Sequence, residues 1–544
     1  MRSVVIIPAR GGSRGIPNKN LRPLRGIPLI GWSIRAALAA KGVDAVVVTT
    51  DSTAIAATAR RFGAEVVTRS PELARDHVTL DPVIADAVEQ LERAGRAFDV
   101  VVTVQPTSPL LDPHTLEAIV ARFAEDAGLS TVLTAVDDTH LSWTQADGRY
   151  VPAYEKRLNR QQLPPRFKET GGVFATRRAF VRPDSRMGPS IDLHVISASE
   201  GCDIDTPDNW LFAEAALGRK RIAIVTIGNR EQGMGHVTRV MSLVECLTGH
   251  VVEVFCDPRE DLAIGALSER FFPYRQVPRS ELLAALRAFG PDIVVHDELE
   301  TRAEDLAAEH ALGARVVCFE DRGAGREHAD LLFDELYPAG KHDPEHGRYF
   351  GPAACVLRGE FFHAPRRPFA AQVGCVLLTF GGTDPSRLAH KVLDAIGSDC
   401  PARLVLVAGK GVRDRDAIAK RCEALASASA QVVFHHDVTM MSEVMGQADI
   451  AFSSAGRTLY ELAHMRVPTI VLAQNAVELE HTFGTPEHGF LPLGLGSQAT
   501  PEAIRSNFEA LYHSAATRRS LWERMDALDL TSGRDRVVRA ILEM

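Results

Sequence analysis

Runs of β-branched residues alternate with stretches that repeat apolar residues at helical spacing along the whole chain. A strand–helix–strand period of this kind commits a chain to parallel sheets with crossover helices, and so to an α/β fold. In the first third the runs lie at 4–7, 45–49, 100–104 and 131–135, with Ile30, Ile34, Ala37 and Leu38 at helical spacing between the first two. The pattern restarts after Arg219-Lys220-Arg221 with an apolar run at 222–227. Runs at 251–256, 293–295 and 316–319 continue one half, and runs at 376–380, 404–407, 432–434, 450–452 and 469–472 make another. Between the halves, His363-Ala364-Pro365-Arg366-Arg367-Pro368 suits a hinge. At 544 residues the chain exceeds what one core organises, since a domain holds roughly 150 residues. Three units are expected: 1–217, 218–366 and 367–544.

Hydrophobic residues at 45% and charged residues at 24% exclude general disorder. No apolar run approaches the ~20 residues that span a bilayer. The opening Met1-Arg2-Ser3-Val4-Val5-Ile6-Ile7-Pro8 is interrupted too soon to read as a signal peptide. A net charge of −9 argues against wholesale binding to nucleic acid or anionic membrane, while leaving room for small basic pockets. The eight cysteines form no C-x-x-C pair and no zinc-like spacing with histidine, so buried, reduced thiols are expected. These features leave a cytoplasmic enzyme with no nucleic acid partner and no membrane span; a homodimer stays open.

Directly after the first run comes Pro8-Ala9-Arg10-Gly11-Gly12-Ser13-Arg14-Gly15-Ile16-Pro17-Asn18-Lys19. Gly11, Gly12 and Gly15 let the backbone approach a ligand so that N–H groups face phosphate oxygens, and Arg10, Arg14 and Lys19 add positive charge. It is neither a G-x-G-x-x-G nor a G-x-x-x-x-G-K-[ST] loop, and alone it reads equally well as a structural turn. Further polar motifs follow in order: Thr49-Thr50-Asp51-Ser52, Gln105-Pro106-Thr107-Ser108-Pro109 and Asp203-Ile204-Asp205-Thr206-Pro207. The first two close strands, at the carboxyl edge where open α/β sheets place ligands. In an extended segment Asp203 and Asp205 share one face and can hold Mg²⁺ together.

This ordered set resembles the acylneuraminate (CMP-sialic acid) cytidylyltransferases and their relatives acting on bacterial nonulosonic acids. The resemblance covers about residues 1–217 and implies a Rossmann-like nucleotidyltransferase domain. The implied reaction moves CMP from CTP to the anomeric hydroxyl of a nonulosonic acid, with release of pyrophosphate. By that resemblance Arg10, Gly11, Gly12 and Lys19 hold the triphosphate, Gln105 touches the nucleotide, and Asp203 and Asp205 bind Mg²⁺. Arg160-Gln161-Gln162-Leu163-Pro164-Pro165 and Glu169-Thr170-Gly171-Gly172 extend the match. The family's Glu-Asn-Gly is here Glu169-Thr170-Gly171; if the missing amide touches the sugar, the acceptor sugar differs from sialic acid. Arg157 and Arg160 suit the sugar carboxylate, and read equally well as a solvated basic face.

The run at 222–227 leads into Gly228-Asn229-Arg230-Glu231-Gln232-Gly233-Met234-Gly235-His236, after which Val237, Val240, Met241, Val244 and Leu247 mark a helix. Glycines and a histidine at a helix N-terminus favour anions, and His236 can act as a general base if a neighbour fixes its tautomer. Later come Phe319-Glu320-Asp321-Arg322, Phe380-Gly381-Gly382-Thr383-Asp384 and Ser453-Ser454-Ala455-Gly456-Arg457-Thr458-Leu459-Tyr460-Glu461. Gly381 and Gly382 would admit a diphosphate, and Glu461 would accept from ribose hydroxyls. The series resembles the UDP-sugar hydrolase of pseudaminic acid synthesis and its spore-coat-polysaccharide relatives, whose architecture is the two-lobed glycosyltransferase B (GT-B) type. That implies a UDP-sugar substrate from which His236 helps water remove UDP. Two departures fall where sugar contacts are expected. The family's Asp-x-Tyr is here His296-Asp297-Glu298, and no glutamine follows Asn475, the candidate sugar contact. Glu245 and Asp257 read as helix-surface and turn residues.

Together the halves would supply the first and last steps of nonulosonic acid synthesis and activation, with a separate nonulosonate synthase as pathway partner between them. The carboxyl-terminal part has two other readings: a glycosyltransferase, or a non-catalytic binding or oligomerisation module.

Overall fold

The computed structural model describes residues 1–12, 16–337, 343–398, 400–427 and 431–544. They form two compact units, Met1–Arg219 and Lys220–Met544. Arg14 and Gly15 of the expected phosphate-binding loop lie outside the described residues.

The first unit is built on a seven-stranded sheet of Ser3–Pro8, Ala45–Thr50, Glu65–Thr68, Val100–Thr103, Thr131–Asp137, Phe167–Arg177 and Ile191–Ile196. Numbered in chain order, they lie seventh, fifth, sixth, fourth, first, second, third across the sheet. Val5 and Ile7 pack against Ile30, Ile34 and Ala37 of helix Leu29–Ala39, while Val4 and Ile6 pack against Ile84, Val88 and Leu91 of helix Leu80–Arg93. Both faces of the strand are therefore covered, which is why its sequence is apolar without alternation. The sheet is not wholly parallel: the sixth strand runs antiparallel to the fourth and fifth. Its register jumps between Glu169 and Phe174 while its partner moves only from Ala135 to Leu133, so Thr170-Gly171-Gly172 falls in a bulge. Two glycines with no side chain to pack make this the place where the ladder yields, and they also hid the strand from periodicity.

The second unit holds two parallel sheets. One comprises Arg221–Thr226, Val251–Cys256, Tyr274–Gln276, Ile293–Asp297, Arg315–Phe319, Leu331–Asp334 and Arg348–Phe350, in spatial order third, second, first, fourth to seventh. The other comprises Cys375–Thr379, Arg403–Ala408, Val432–His436, Ile450–Ser453, Thr469–Ala473 and Phe490–Leu495, in order third, second, first, fourth to sixth. Both have the doubly-wound order with a switch point between first and fourth strands. Two such lobes in succession are the two-lobed GT-B-like α/β architecture. The lobes are not divided by a single cut at residue 367. Helix Ser532–Leu542 places Val537 and Ile541 in the first lobe's core beside Ile222, Ile224 and Val240. Its Gly533 is pressed so close that a Cβ would lie 2.4 Å from the Cys355 carbonyl. An apolar i, i+4 pair states that a helix has a buried face, not whose core buries it.

Candidate functional site

In the first unit the motifs meet at the carboxyl edge of the sheet. Asn20, buried, donates from Nδ2 to the Arg10 carbonyl at 3.1 Å and ties the glycine loop to the turn that carries Lys19. Asn18 enters that turn at φ 54°, a left-handed conformation asparagine tolerates. Lys19 Nζ donates to the Ile204 carbonyl at 2.7 Å and to Asp205 Oδ1 at 3.1 Å. The Ile204 amide donates to Thr107 at 2.9 Å, which fastens the Asp203–Asp205 segment to the end of the fourth strand. A capping box between Thr206 and Asn209 starts helix Pro207–Leu217 immediately afterwards. The structure thus brings together Arg10, Gly11, Lys19, Asp203 and Asp205. Gln105 stands beside the bulge: its backbone N–H donates to the Gly171 carbonyl at 3.2 Å, and a Cβ on Gly171 would lie 3.1 Å from its side chain.

Several groups are already engaged. The Gly11 N–H donates to Asp51 Oδ1 at 2.9 Å, and Arg10 pairs with Asp76; at Gly12 a Cβ would meet nothing within 4 Å. Thr170 spends its hydroxyl on Thr134 Oγ1 at 2.8 Å, so as placed it ties the bulge to the sheet and does not replace the family's amide toward a sugar. Arg157 and Arg160 are exposed, Arg160 lying 3.9 Å from Asp137, which fits the solvated basic face. Arg69 is a cation the sequence reading missed. It is buried, donates to the Thr49 carbonyl at 2.9 Å and keeps an unpartnered Nε. Burial brings its pKa down to about 10, with Arg10 pushing the same way and Asp51 opposing.

Among the described residues no group of three or more His, Cys, Asp or Glu side chains suits a metal. Asp203 nonetheless keeps a buried Oδ1 without a partner, and burial, aided by Asp205, raises its carboxyl above the usual range. Asp205 is exposed. Mg²⁺ commonly takes one or two carboxylates with substrate phosphates and water, so this pair fits it.

In the second unit the loop after the first strand is braced by Glu260, which accepts from Gly228 N at 2.8 Å and Asn229 Nδ2 at 2.9 Å. Helix Gly235–Cys246 then carries His236, with its Nδ1 2.7 Å from Oδ1 of Asp297 at the end of the fourth strand. Arg239, one turn along the same helix face, donates to both Asp297 oxygens at 2.8 and 2.6 Å, and to Glu335 at 2.9 Å. Arg457, from the second lobe, reaches Glu335 at 2.8 Å and the Val356 carbonyl at 2.7 Å. Burial alone would raise the Asp297 carboxyl; Arg239 and His236 outweigh it and hold it at about 2. Asp297 therefore stays ionised and is placed to accept from Nδ1–H; in the neutral imidazole that tautomer puts the lone pair on Nε2 of His236. The sequence reading asked for a neighbour that fixes this tautomer and did not find Asp297.

The unusual triplet divides its labour by strand alternation. Asp297 turns to His236, while His296, fully buried, lies 2.7 Å from Glu298 and 2.8 Å from Glu309. Burial opposes charge on His296, but the two carboxylates prevail and lift it to about 10. Across the cleft, Gly381 has φ 79°, and a Cβ on Gly382 would lie 3.1 Å from Met234 in the His236 loop. Two expected contacts are placed otherwise. Glu461 gives its oxygens to Arg358 at 2.6 and 2.9 Å, so both already serve an ion pair. Asn475 is exposed and accepts from Glu478 N at 3.0 Å, holding its own turn. Glu245 is exposed on its helix, and Asp257 holds its turn by accepting from Arg259 N at 3.0 Å, while also lining a cavity of about 730 Å³ in the first lobe.

Residues 4–164 match the family described as cytidylyltransferase. The CMP-N,N'-diacetyllegionaminic acid synthase of Legionella pneumophila is 33% identical over 234 residues, covering 41% of this chain and 100% of that protein. N-acylneuraminate cytidylyltransferase B of Danio rerio is 34% identical over 222 residues, covering 39% of this chain and 51% of that one. The chain thus spans about half the length of that relative and of two similar fish proteins. The crystal structure of Acinetobacter baumannii MurG covers 60% of this chain and 100% of its own at a TM-score of 0.46 and 14% identity, a likeness that carries no argument about function. Among the described residues no helix is long and apolar enough to cross a membrane.

Proposed function

The chain belongs to the cytidylyltransferase family, and from that premise we propose that its first unit transfers CMP from CTP to the anomeric hydroxyl of a nonulosonic acid. The observation that carries this reading is the convergence of Arg10, Lys19 and the Asp203–Asp205 segment at one sheet edge, closed by the Lys19–Asp205 contact of 3.1 Å. The anomeric oxygen forms a bond to the α-phosphorus as its hydroxyl proton passes to solvent, the bond from that phosphorus to the β-bridging oxygen breaks, and pyrophosphate leaves with the electron pair. Such a displacement needs charge neutralisation and alignment more than a covalent nucleophile. Arg10 and Lys19 would exchange Asp76 and Asp205 for phosphate oxygens, with Arg69 adding a third cation behind them. Asp203 and Asp205 would hold Mg²⁺, which when bound neutralises charge on the triphosphate. The test is pyrophosphate release from CTP across a panel of nonulosonic acids; release with none of them refutes the reading.

For the second unit we infer chemistry on a UDP-sugar, carried by the His236–Asp297 pair at the head of the glycine loop. Nε2 of His236 takes the proton of the attacking hydroxyl, the new C–O bond forms at the anomeric carbon, and UDP departs with the electrons of the broken bond. With water the outcome is hydrolysis; with a sugar hydroxyl the same proton path gives transfer. UDP release measured with and without a sugar acceptor separates these, and no release from any UDP-sugar refutes both.

A further inference from the structure

The sites described above lie at the carboxyl edges of their sheets. The opposite, amino edge of the second lobe's sheet carries a group of arginines that neither site uses. Gly374, Asp449 and Pro468 directly precede its first, fourth and fifth strands, which run parallel, so their amino ends meet at one rim. The hinge stretch Arg367-Pro368-Phe369 and helix Ala515–Asp526, through Trp522, come against that rim. With Asp449 and Arg466 they line a notch of about 20 Å³, which holds one water-sized group.

Charge at this rim does not balance. Arg367 pairs with Asp449 at 2.9 Å, and the other Asp449 oxygen accepts from Gly374 N at 2.7 Å and Cys375 N at 3.0 Å. Arg466 pairs with Asp526 at 2.6 Å. Arg366 and Arg519 are exposed, and neither has a carboxylate within ion-pair distance among the described residues. Arg519 stands 4.3 Å from the centre of the Phe369 ring and Arg466 4.8 Å from that of Trp522, and the two rings meet edge to face at 6.4 Å. A guanidinium therefore flanks each end of one aromatic pair, in a chain whose net charge is −9.

Arg466 supplies a second observation. It holds the turn after helix Thr458–His464 at φ 59°, where glycine is usual, and its Nε is buried without a partner. Burial lowers its pKa below the ordinary value, and Arg366 adds to that while Asp526 opposes. An orphaned N–H on a desolvated cation calls for an acceptor that also brings negative charge. A carboxylate brings one charge. A phosphate group brings nearly two at neutral pH, with enough oxygens to meet several guanidiniums at once. We propose that this rim binds a phosphate group, one oxygen entering the notch toward Arg466 Nε and the others held by Arg366 and Arg519. The site lies at the other end of the strands from the Gly381 loop, and it does not rest on the reading of either unit's chemistry.

Trp522 is the one tryptophan beyond residue 219, so fluorine NMR of the full chain labelled with 5-fluorotryptophan reads the rim directly, with Trp522→Phe to assign its signal. At constant ionic strength, inorganic phosphate should shift the Trp522 signal saturably while sodium chloride does not. Arg366→Gln and Arg519→Gln, both at exposed positions, should each weaken binding at least about fivefold and leave pyrophosphate and UDP release unchanged. Arg466→Lys, which keeps the charge and loses Nε, should weaken it by at least about fivefold too. CMP and cytidine distinguish the sources. CMP binding about tenfold or more tighter than phosphate assigns the group to a nucleotide, and any smaller difference assigns free phosphate. No shift with either phosphate or CMP, an equal shift with sodium chloride, cytidine acting as strongly as CMP, or unaltered affinity in both Arg366→Gln and Arg519→Gln would each overturn the proposal.

Discussion

Replacing Asp297 by asparagine removes one charge and almost no volume, and two consequences can be worked through. The first is thermodynamic. Asp297 is fully buried and lies within 2.6–2.8 Å of two Arg239 nitrogens and of His236 Nδ1. Its carboxyl falls from an ordinary 3.8 to about 2, which at 1.36 kcal/mol per unit corresponds to about 2 kcal/mol of pH-dependent stability. The folded value lies below the unfolded one. That stabilisation is therefore complete above about pH 4 and is lost as pH falls toward 2. Breaking a buried ion pair outright costs about 3–5 kcal/mol, and Arg239 keeps Glu320 and Glu335, so Asp297→Asn should cost about 3 kcal/mol at pH 7. Urea unfolding of the second unit at pH 7 and pH 3 measures both quantities: a drop at pH 7, and a smaller difference from the unaltered chain at pH 3. The second consequence is catalytic. An asparagine no longer selects the Nδ1–H tautomer, so UDP release should fall by about 10²–10⁴ in kcat with KM little changed. Stability at pH 7 within 0.5 kcal/mol of the unaltered chain would refute the electrostatic argument, and kcat within about threefold would refute the positioning role.

Lys19→Met should lower pyrophosphate release by about 100-fold while circular dichroism stays unchanged, because the side chain serves charge at the sheet edge and not the core. Removing divalent cations with EDTA should abolish pyrophosphate release, and Mg²⁺ should restore it; full activity in EDTA would remove the metal role of Asp203 and Asp205. His296 carries the opposite pH sign to Asp297. Its folded pKa is raised from 6.5 to about 10, so its contribution is complete below pH 6.5 and lost as pH rises through about 10. Chemical denaturation of the second unit from pH 7 to pH 10 should show that loss, and a His296→Gln variant should show a flatter profile.

The strands that carry both sites were legible because each is covered on both faces and so reads as an unbroken apolar run, as in Val4 to Ile7 or Val376 to Leu378. The order of polar motifs after those runs was legible for the same reason, since a strand end fixes where its loop emerges. The antiparallel sixth strand was not, because Gly171 and Gly172 break its period where the ladder bulges. Nor was the pairing of Glu461 with Arg358, 103 residues away, which turned an expected ribose acceptor into half of an ion pair.

By itself the sequence determined the α/β class, the restart of the pattern near residue 219, and the placing of glycines, Lys19 and His236 just beyond strands. These follow from local periodicity and backbone freedom, which neighbours in sequence settle among themselves. Only the tertiary structure decided that Asp297 meets His236 across 61 positions, that Arg239 and Arg457 share Glu335, and that helix Ser532–Leu542 returns to the first lobe. The strength of such pairings depends on separation and on exclusion of water, and both are set by how the sheets bring distant segments together.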